Sequence, residues 1–362
     1  MQTPTKIILG IFFVLIIGAV VVSSKHTGSL IIPREKQGDV NNIEANKKFS
    51  SDELSAAELP VLAQAMPEFA GITTWWNTVD NKPLTTADLK GKVILVDFWT
   101  YSCINCIRTF PFIKTMHERY ADKGLIIVGV HTPEFAFEAE PKNVEREIKK
   151  NGFMHPIALD RDYVTWNAYA NHYWPAEYFF DRQGRLRYTH FGEGEYDRSE
   201  EVIRALLAEN GELLTPMAVA VPTPDLSKIV TRETYFGLGR GDAFSGKTPI
   251  KNIESSLSLT DPKADMWSAD GRWVFREEYA QANSVGSHFR FNVQAKKLHI
   301  VMESADAKDK IIEVYIDGKK SGETTINESR LYTIAEFPDA RRHMVEIRMK
   351  DGGVRFYAAT FS

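Results

Sequence analysis

Cys103 and Cys106 are the only cysteines in a chain of 362 residues, and just two residues, Ile104 and Asn105, separate them. They follow the apolar run Val93–Phe98, a buried-strand pattern, and precede a segment that reads as a helix. A Cys-x-x-Cys pair at a strand-to-helix junction puts its first sulfur at a helix N-terminus. Unpaired backbone N–H groups and the helix dipole there stabilise the thiolate, which is the reactive form. The second sulfur lies one turn further on, within reach to resolve a mixed disulfide. Other uses of the pair fit less well. A structural disulfide across two residues closes too short a loop to stabilise much. A zinc site wants four ligands, and no second Cys pair or Cys-His cluster completes one. Haem attachment needs His directly after the second Cys, and Ile107 stands there. The pair therefore reads as a dithiol–disulfide couple that calls for no metal and no other cofactor.

The elements that must position it come next. The length suggests two domains plus non-globular ends. A formal net charge of −4 leaves no basic footprint for nucleic acid, and two cysteines exclude a disulfide-stapled scaffold. Ile7–Val22 is apolar throughout, and its sixteen residues would span about 24 Å as a helix against a bilayer core of about 30 Å. With Val22-Ser23-Ser24 as the best cleavage site available, residues 1–23 are expected to be an N-terminal anchor, with a cleaved signal segment as the alternative. On either reading the bulk of the chain is extracytoplasmic, in the periplasm or on the outer face of the cell membrane. Residues 24–60 are polar and mixed in charge, which predicts a spacer. From 61 to 215 strand patterns (Val93–Phe98, Leu125–Val130, Ile157–Leu159, Glu177–Asp181, Leu186–Phe191) alternate with helical ones (Ile104–Tyr120, Val144–Asn151, Tyr163–Tyr169, Ser199–Glu209). That alternation predicts an α/β layered domain with both faces of its sheet covered. A proline-punctuated linker is expected over 216–229. Helical periodicity then disappears, and runs such as Leu298–Glu303, Ile311–Ile316, His343–Met349 and Val354–Phe361 predict an all-β sandwich over 230–362.

Placed on these elements, the residues around the motif resemble the thioredoxin superfamily. Asp97 lies six residues before Cys103, where thioredoxins carry a buried carboxylate, and Pro111 lies eight residues after it, where their active-site helix is kinked. Trp174-Pro175-Ala-Glu-Tyr-Phe-Phe-Asp181 resembles the cis-proline strand start that packs against the disulfide in that fold. The additional strand and helix before that proline resemble the membrane-tethered TlpA and ResA branch. A closer match is the extracytoplasmic C-terminal part of DipZ-type proteins. Their Trp-Thr-Tyr-Ser-Cys-Ile-Asn-Cys motif matches Trp99 to Cys106, their Gly-Val-His-Thr-Pro-Glu-Phe segment Gly129 to Phe135, and their Glu-Thr-Tyr-Phe-Gly-Leu-Gly opening of a β-module Glu233 to Gly239. The resemblance covers about residues 60–362. It departs in two places. DipZ-type proteins fuse this part to a multi-helix electron-transferring membrane domain, where this chain shows one hydrophobic segment. ResA-like proteins carry an acid three positions after the second Cys, where this chain has Thr109.

The resemblance implies a thioredoxin-like domain followed by a β-sandwich of jelly-roll or carbohydrate-binding-module type. It also implies thiol-disulfide oxidoreductase activity, with Cys103 as nucleophile and Cys106 as resolving thiol. Asp97 sits inside an apolar run, where a carboxylate is costly without a task. Desolvation would keep it partly protonated, able to exchange a proton with Cys106. Pro175 is expected in cis and in contact with substrate, while Trp99 and Trp174 are either walls of the site or core aromatics. His131 and Glu134 follow a strand end, where sheet ligands collect in α/β domains, and are secondary candidates. The implied partners are disulfide-containing client proteins and an integral-membrane electron donor of the CcdA or DsbD type acting in trans. A thiol peroxidase would also place Thr100 three residues before Cys103, but Val96 stands where that motif needs proline. In a binding-protein reading, Trp267, Trp273, Phe275, Tyr279, Phe289 and Phe291 would stack on a carbohydrate or cell-wall ligand. The same aromatics fit a sandwich core, since Trp273 with Phe275 and Phe289 with Phe291 share a strand face. The β-module is expected to recognise and position, so that removing residues 225–362 would spare reduction of a small disulfide.

Overall fold

The computed structural model describes residues 54–211, 214–215, 229–339 and 341–362. The expected anchor, most of the expected spacer and nearly all of the expected linker lie outside those residues. Among the described residues no helix is long and apolar enough to cross a membrane.

The first sheet comprises β1 (Thr74–Trp76), β2 (Val93–Trp99), β3 (Leu125–His131), β4 (Ile157–Leu159), β5 (Ala176–Phe180) and β6 (Leu186–Phe191), in the order β1-β4-β3-β2-β5-β6. The strands β2, β3 and β4 run parallel, and β1, β5 and β6 are antiparallel to their neighbours. Every residue of β2 is buried, which is why a near-continuous apolar run marks it in the sequence. Its side chains alternate between two cores. Val93 and Leu95 meet Phe112, Ile113 and Met116 of helix α1 (Ile104–Tyr120), as well as residues of a later helix. Ile94, Val96 and Phe98 meet Trp75, Trp166, Tyr169 and Tyr178 on the other face. Helices α2 (Pro141–Asn151) and α3 (Val164–Ala168) flank β4, and α4 (Tyr196–Leu207) follows β6.

Two boundaries differ from expectation for physical reasons. Helix α4 begins three residues earlier than its predicted start, because Tyr196 is itself a core side chain packed on Phe112 at 5.1 Å. The end of the expected spacer belongs to the domain: Leu59 is buried in the first core, and Arg187 donates to the carbonyls of Ala56, of Leu59 at 2.6 Å and of Pro60 at 3.2 Å.

The C-terminal part is two antiparallel sheets. One has the order β16 (Arg330–Glu336), β13 (Lys297–Ser304), β18 (Val354–Phe361), β11 (Ala280–Ala282), β10 (Gly271–Phe275), β8 (Glu254–Leu257), with β7 (Thr234–Tyr235) added beside β18. The other runs β15 (Lys319–Ile326), β14 (Lys310–Ile316), β17 (Arg342–Met349), β12 (His288–Gln294), β9 (Trp267–Ala269). Trp267, Trp273, Phe275, Phe289 and Phe291 all lie in the core between these sheets, so the aromatics that suggested a sugar platform are sandwich interior. Tyr279 is half-buried and packs on Tyr357 at 5.2 Å.

The two parts share a fourth apolar cluster. Tyr101, Phe135 and Phe137 of the first part pack with Val301, Tyr357 and Ala358 of the second. Polar contacts border it. Tyr235 and Arg240 both donate to Glu134 at 2.9 Å, Ala136 N–H donates to Glu278 at 3.2 Å, and Arg108 of α1 donates to the Phe361 carbonyl at 3.3 Å.

Candidate active site

Strand β2 ends at Trp99, and four residues later Cys103 caps α1 with extended backbone angles (φ −78°, ψ 120°). Its carbonyl accepts the first helical bond, from Ile107 N–H at 3.0 Å. The Cys103 sulfur is half-buried at the helix N-terminus, whereas Cys106, one turn along, is fully buried. Opposite them the Trp174–Pro175 bond is cis, and the Trp174 carbonyl oxygen lies 3.9 Å from the Cys103 sulfur. Burial pushes the Cys106 thiol well above its ordinary range, and the neighbouring Cys103 and Asp97 push it further. Cys103 is thus the sulfur that a disulfide can reach, and Cys106 needs a proton acceptor before it can attack.

Asp97 is placed to be that acceptor. It is 3% exposed, its Oδ1 has no hydrogen-bond partner among the described residues, and desolvation pushes its carboxyl up to about 7. An acid with a higher pKa in the folded than in the unfolded chain costs stability once its unfolded form ionises. Through Asp97 the protein should therefore lose stability as pH rises from about 4 to about 7, by about 4 kcal/mol in all, and lose no more above that. Asp97→Asn is expected to raise the melting temperature more at alkaline pH than at acid pH and to slow the resolving step. Thermal unfolding across that range checks the first effect. A stabilisation independent of pH would show that Asp97 is not desolvated as the structure has it.

Sequence reasoning missed Glu138. It is fully buried and accepts four hydrogen bonds: from Ser102 N–H (3.2 Å), Ser102 O–H (2.6 Å), Glu134 N–H (2.6 Å) and Phe135 N–H (3.0 Å). Glu138 therefore ties the residue before Cys103 to the segment after β3. Burial and the charge of Glu134 push its carboxyl up to about 7. The one signal in the sequence is an acid set among Phe135, Phe137 and small residues, which is weak.

Two sequence candidates do not reach the site. Trp99 is 1% exposed, with its ring edge-on to Phe110, Phe153 and His131, and is a core residue that cannot wall a substrate cleft. It shares the phase of Val93 and Leu95 on β2, which carries its side chain under the helices. His131 is fully buried beside it, pushed down to about 3 by burial, and is a neutral structural ring. The Thr100 hydroxyl, required by the peroxidase reading, lies 3.4 Å from His131 Nε2. Trp174 is half-buried: its indole donates to the Thr132 carbonyl at 3.1 Å and its ring lies 4.3 Å from that of Trp166. With Glu134, Tyr163, Arg240, Glu277 and Glu278 it borders a cavity of about 310 Å³ between the two parts of the chain. Glu134 is thus a residue of that boundary, next to the cis-proline turn. Among the described residues no group of His, Cys, Asp and Glu is arranged to hold a metal ion.

The Redoxin family matches residues 62–207, and the thiol-disulfide oxidoreductase YkuV of Bacillus subtilis is 32% identical over 149 residues, which cover 97% of that protein and 41% of this chain. The chain belongs to the redoxin family. Its redoxin domain carries the Cys103–Cys106 pair of a thiol-disulfide oxidoreductase. Residues 231–362 match a second family, described as a thioredoxin-like C-terminal domain. Protein DipZ of Mycobacterium tuberculosis is 39% identical over 286 residues, covering 76% of this chain. The match spans only 40% of DipZ. The thiol-disulfide oxidoreductase ResA of Geobacillus thermodenitrificans is 30% identical over 101 residues, covering 28% of this chain and 55% of that protein.

Proposed function

We propose that this redoxin reduces disulfides in client proteins outside the cytoplasm. The observation that carries the reading is the asymmetry of the pair: Cys103 half-buried at a helix N-terminus beside cis-Pro175, and Cys106 buried one turn beneath. The Cys103 thiolate attacks a client disulfide, forming a mixed disulfide and expelling one client thiolate. Cys106 then gives its proton to Asp97 and attacks the Cys103 sulfur. The second client thiolate leaves, and two electrons have passed from the dithiol to the client. Recharging falls to an integral-membrane donor acting in trans, with Ile7–Val22 holding the chain at the membrane. The β-module contributes Arg240, Glu277 and Glu278 to the cavity beside Trp174, which supports a part in positioning clients next to Cys103.

The test is the reduction potential of the purified chain equilibrated with glutathione, together with turnover of a protein disulfide. A potential more negative than that of glutathione supports the reducing direction. A value near about −120 mV, that of a strong oxidant, would reverse it. Cell fractionation tests the location, and a soluble protein whose mature N-terminus lies near Lys25 would remove the tether.

A further inference from the structure

Cys106 must lose a proton while a client covers the Cys103 side of the site, so the proton needs another exit. We propose that a cross-strand row, Asp97–Glu177–His190, carries it across the sheet to solvent. This inference rests on the reading above, in which Cys106 resolves a mixed disulfide.

The row follows from register. On the antiparallel pair β2–β5 Asp97 stands opposite Glu177, and on the antiparallel pair β5–β6 Glu177 stands opposite His190. Directly opposed residues share a sheet face, with Cβ atoms about 4.5–5.5 Å apart, so three titratable side chains stand side by side. The face is the one covered by α1 and α4, where Cys106 lies. Asp97 and Glu177 are buried, whereas His190 on the edge strand β6 is half-buried, with its Nε2 enclosed on the row's side. Among the described residues each of the three leaves a polar atom unpartnered: Asp97 Oδ1, Glu177 Oε1 and His190 Nε2. Orphaned buried polar atoms are uncommon and costly, and three in one row have a shared explanation if protons move between them.

The surroundings fit. Ser199 of α4 donates to Glu177 Oε2 at 3.2 Å, leaving Oε1 free. Tyr188 of β6 and Tyr196 of α4 also face Glu177, and Glu195 lies by His190. The Arg108–Glu193 pair, 3.1 Å apart, joins α1 to the turn after β6. Among the described residues no cation offsets either carboxyl of the row; Asp97 is raised by burial alone, and Glu177 by burial and then by Asp97. Two adjacent buried carboxyls retain a proton between them, which makes a relay rather than a fixed ion pair. During resolution the Cys106 S–H bond breaks as the Cys103–Cys106 bond forms. The electron pair of the Cys103–client bond leaves with the client sulfur, which takes a proton from solvent. The Cys106 proton passes to Asp97, on to Glu177, and leaves through the His190 ring. Recharging runs the path in reverse.

A chromogenic aromatic disulfide separates the steps, since attack by Cys103 releases one coloured thiolate and resolution by Cys106 releases the second. In Glu177→Gln, which keeps shape and hydrogen bonding but cannot relay, the first release is expected to be unchanged and the second slowed about tenfold or more across pH. His190→Ala is expected to slow the second release as well, with added imidazole restoring it, a rescue that a merely structural role would not show. A folded Glu177→Gln protein, by circular dichroism and melting temperature, that resolves at the wild-type rate overturns the row. If Glu177→Gln fails to fold, His190→Ala decides: an undiminished second release, or a loss that imidazole does not restore, overturns it. Failure of the underlying function is distinct, since the wild type itself would then give the first release without the second.

Discussion

A Cys106→Ser variant is expected to stop after its first step and to accumulate client proteins joined to Cys103, whereas Cys103→Ser accumulates none. Both should lose turnover to the uncatalysed background. The difference between them comes from placement. The Cys103 sulfur sits at the N-terminus of α1 beside the Trp174 carbonyl, where a client disulfide can approach, while Cys106 is enclosed and held protonated by burial. Serine at 106 keeps the volume and the helix, so Cys103 can still attack, but the mixed disulfide has no second thiol to release it. Non-reducing electrophoresis of cell extracts, with mass spectrometry of the adducts, checks the outcome. In the reduced wild type, alkylation at neutral pH should modify Cys103 far ahead of Cys106, and equal rates for the two would contradict the assignment.

The nucleophile was legible because its neighbourhood is local. A fully buried strand is written as an apolar run, a helix starts five residues after its end, and the pair's spacing matches one helical turn. The Trp174-Pro175 strand start was equally readable, since an aromatic-proline pair before a strand is a local pattern. Trp99 and His131 show the limit. Both are the last residues of strands β2 and β3, where either a site or a core is reachable, and strand phase gives the face but not which of the two lies there. Glu138 and Glu177 were hidden for a different reason. Their meaning comes from pairing with Ser102, 36 residues away, and with Asp97 across a strand register, and neither partnership has a local signature. In the sandwich, β15 carries no strand signal in the sequence because Lys319–Ile326 is an edge strand, exposed over most of its length, with a single apolar residue. An edge strand that faces water has no need of the alternation that betrays its neighbours.

Tyr357→Ala is expected to lower stability by about 3–5 kcal/mol, the range for truncating a large buried aromatic. Tyr357 is nearly inaccessible, its ring lies 5.1 Å from Phe135 and 4.8 Å from Phe137, and its hydroxyl donates to Glu303 at 2.6 Å. The effect should not stay in the sandwich. Phe135 and Phe137 belong to the short segment that ends at Glu138, and Glu138 holds Ser102 beside the nucleophile. Loosening that packing should also slow the reaction of Cys103 with a small disulfide. The expectation that the module could be removed without affecting small substrates therefore changes, because removal would expose Tyr101, Phe135 and Phe137 together. Tyr357→Phe separates the contributions: it keeps the ring, loses one hydrogen bond, and should cost only about 1–3 kcal/mol with little effect on Cys103. Denaturant unfolding and the rate of Cys103 alkylation measure the two effects. A Tyr357→Ala protein that is destabilised but keeps the wild-type alkylation rate would confine the module to client recognition. A slowed rate makes the sandwich a structural support of the redox site.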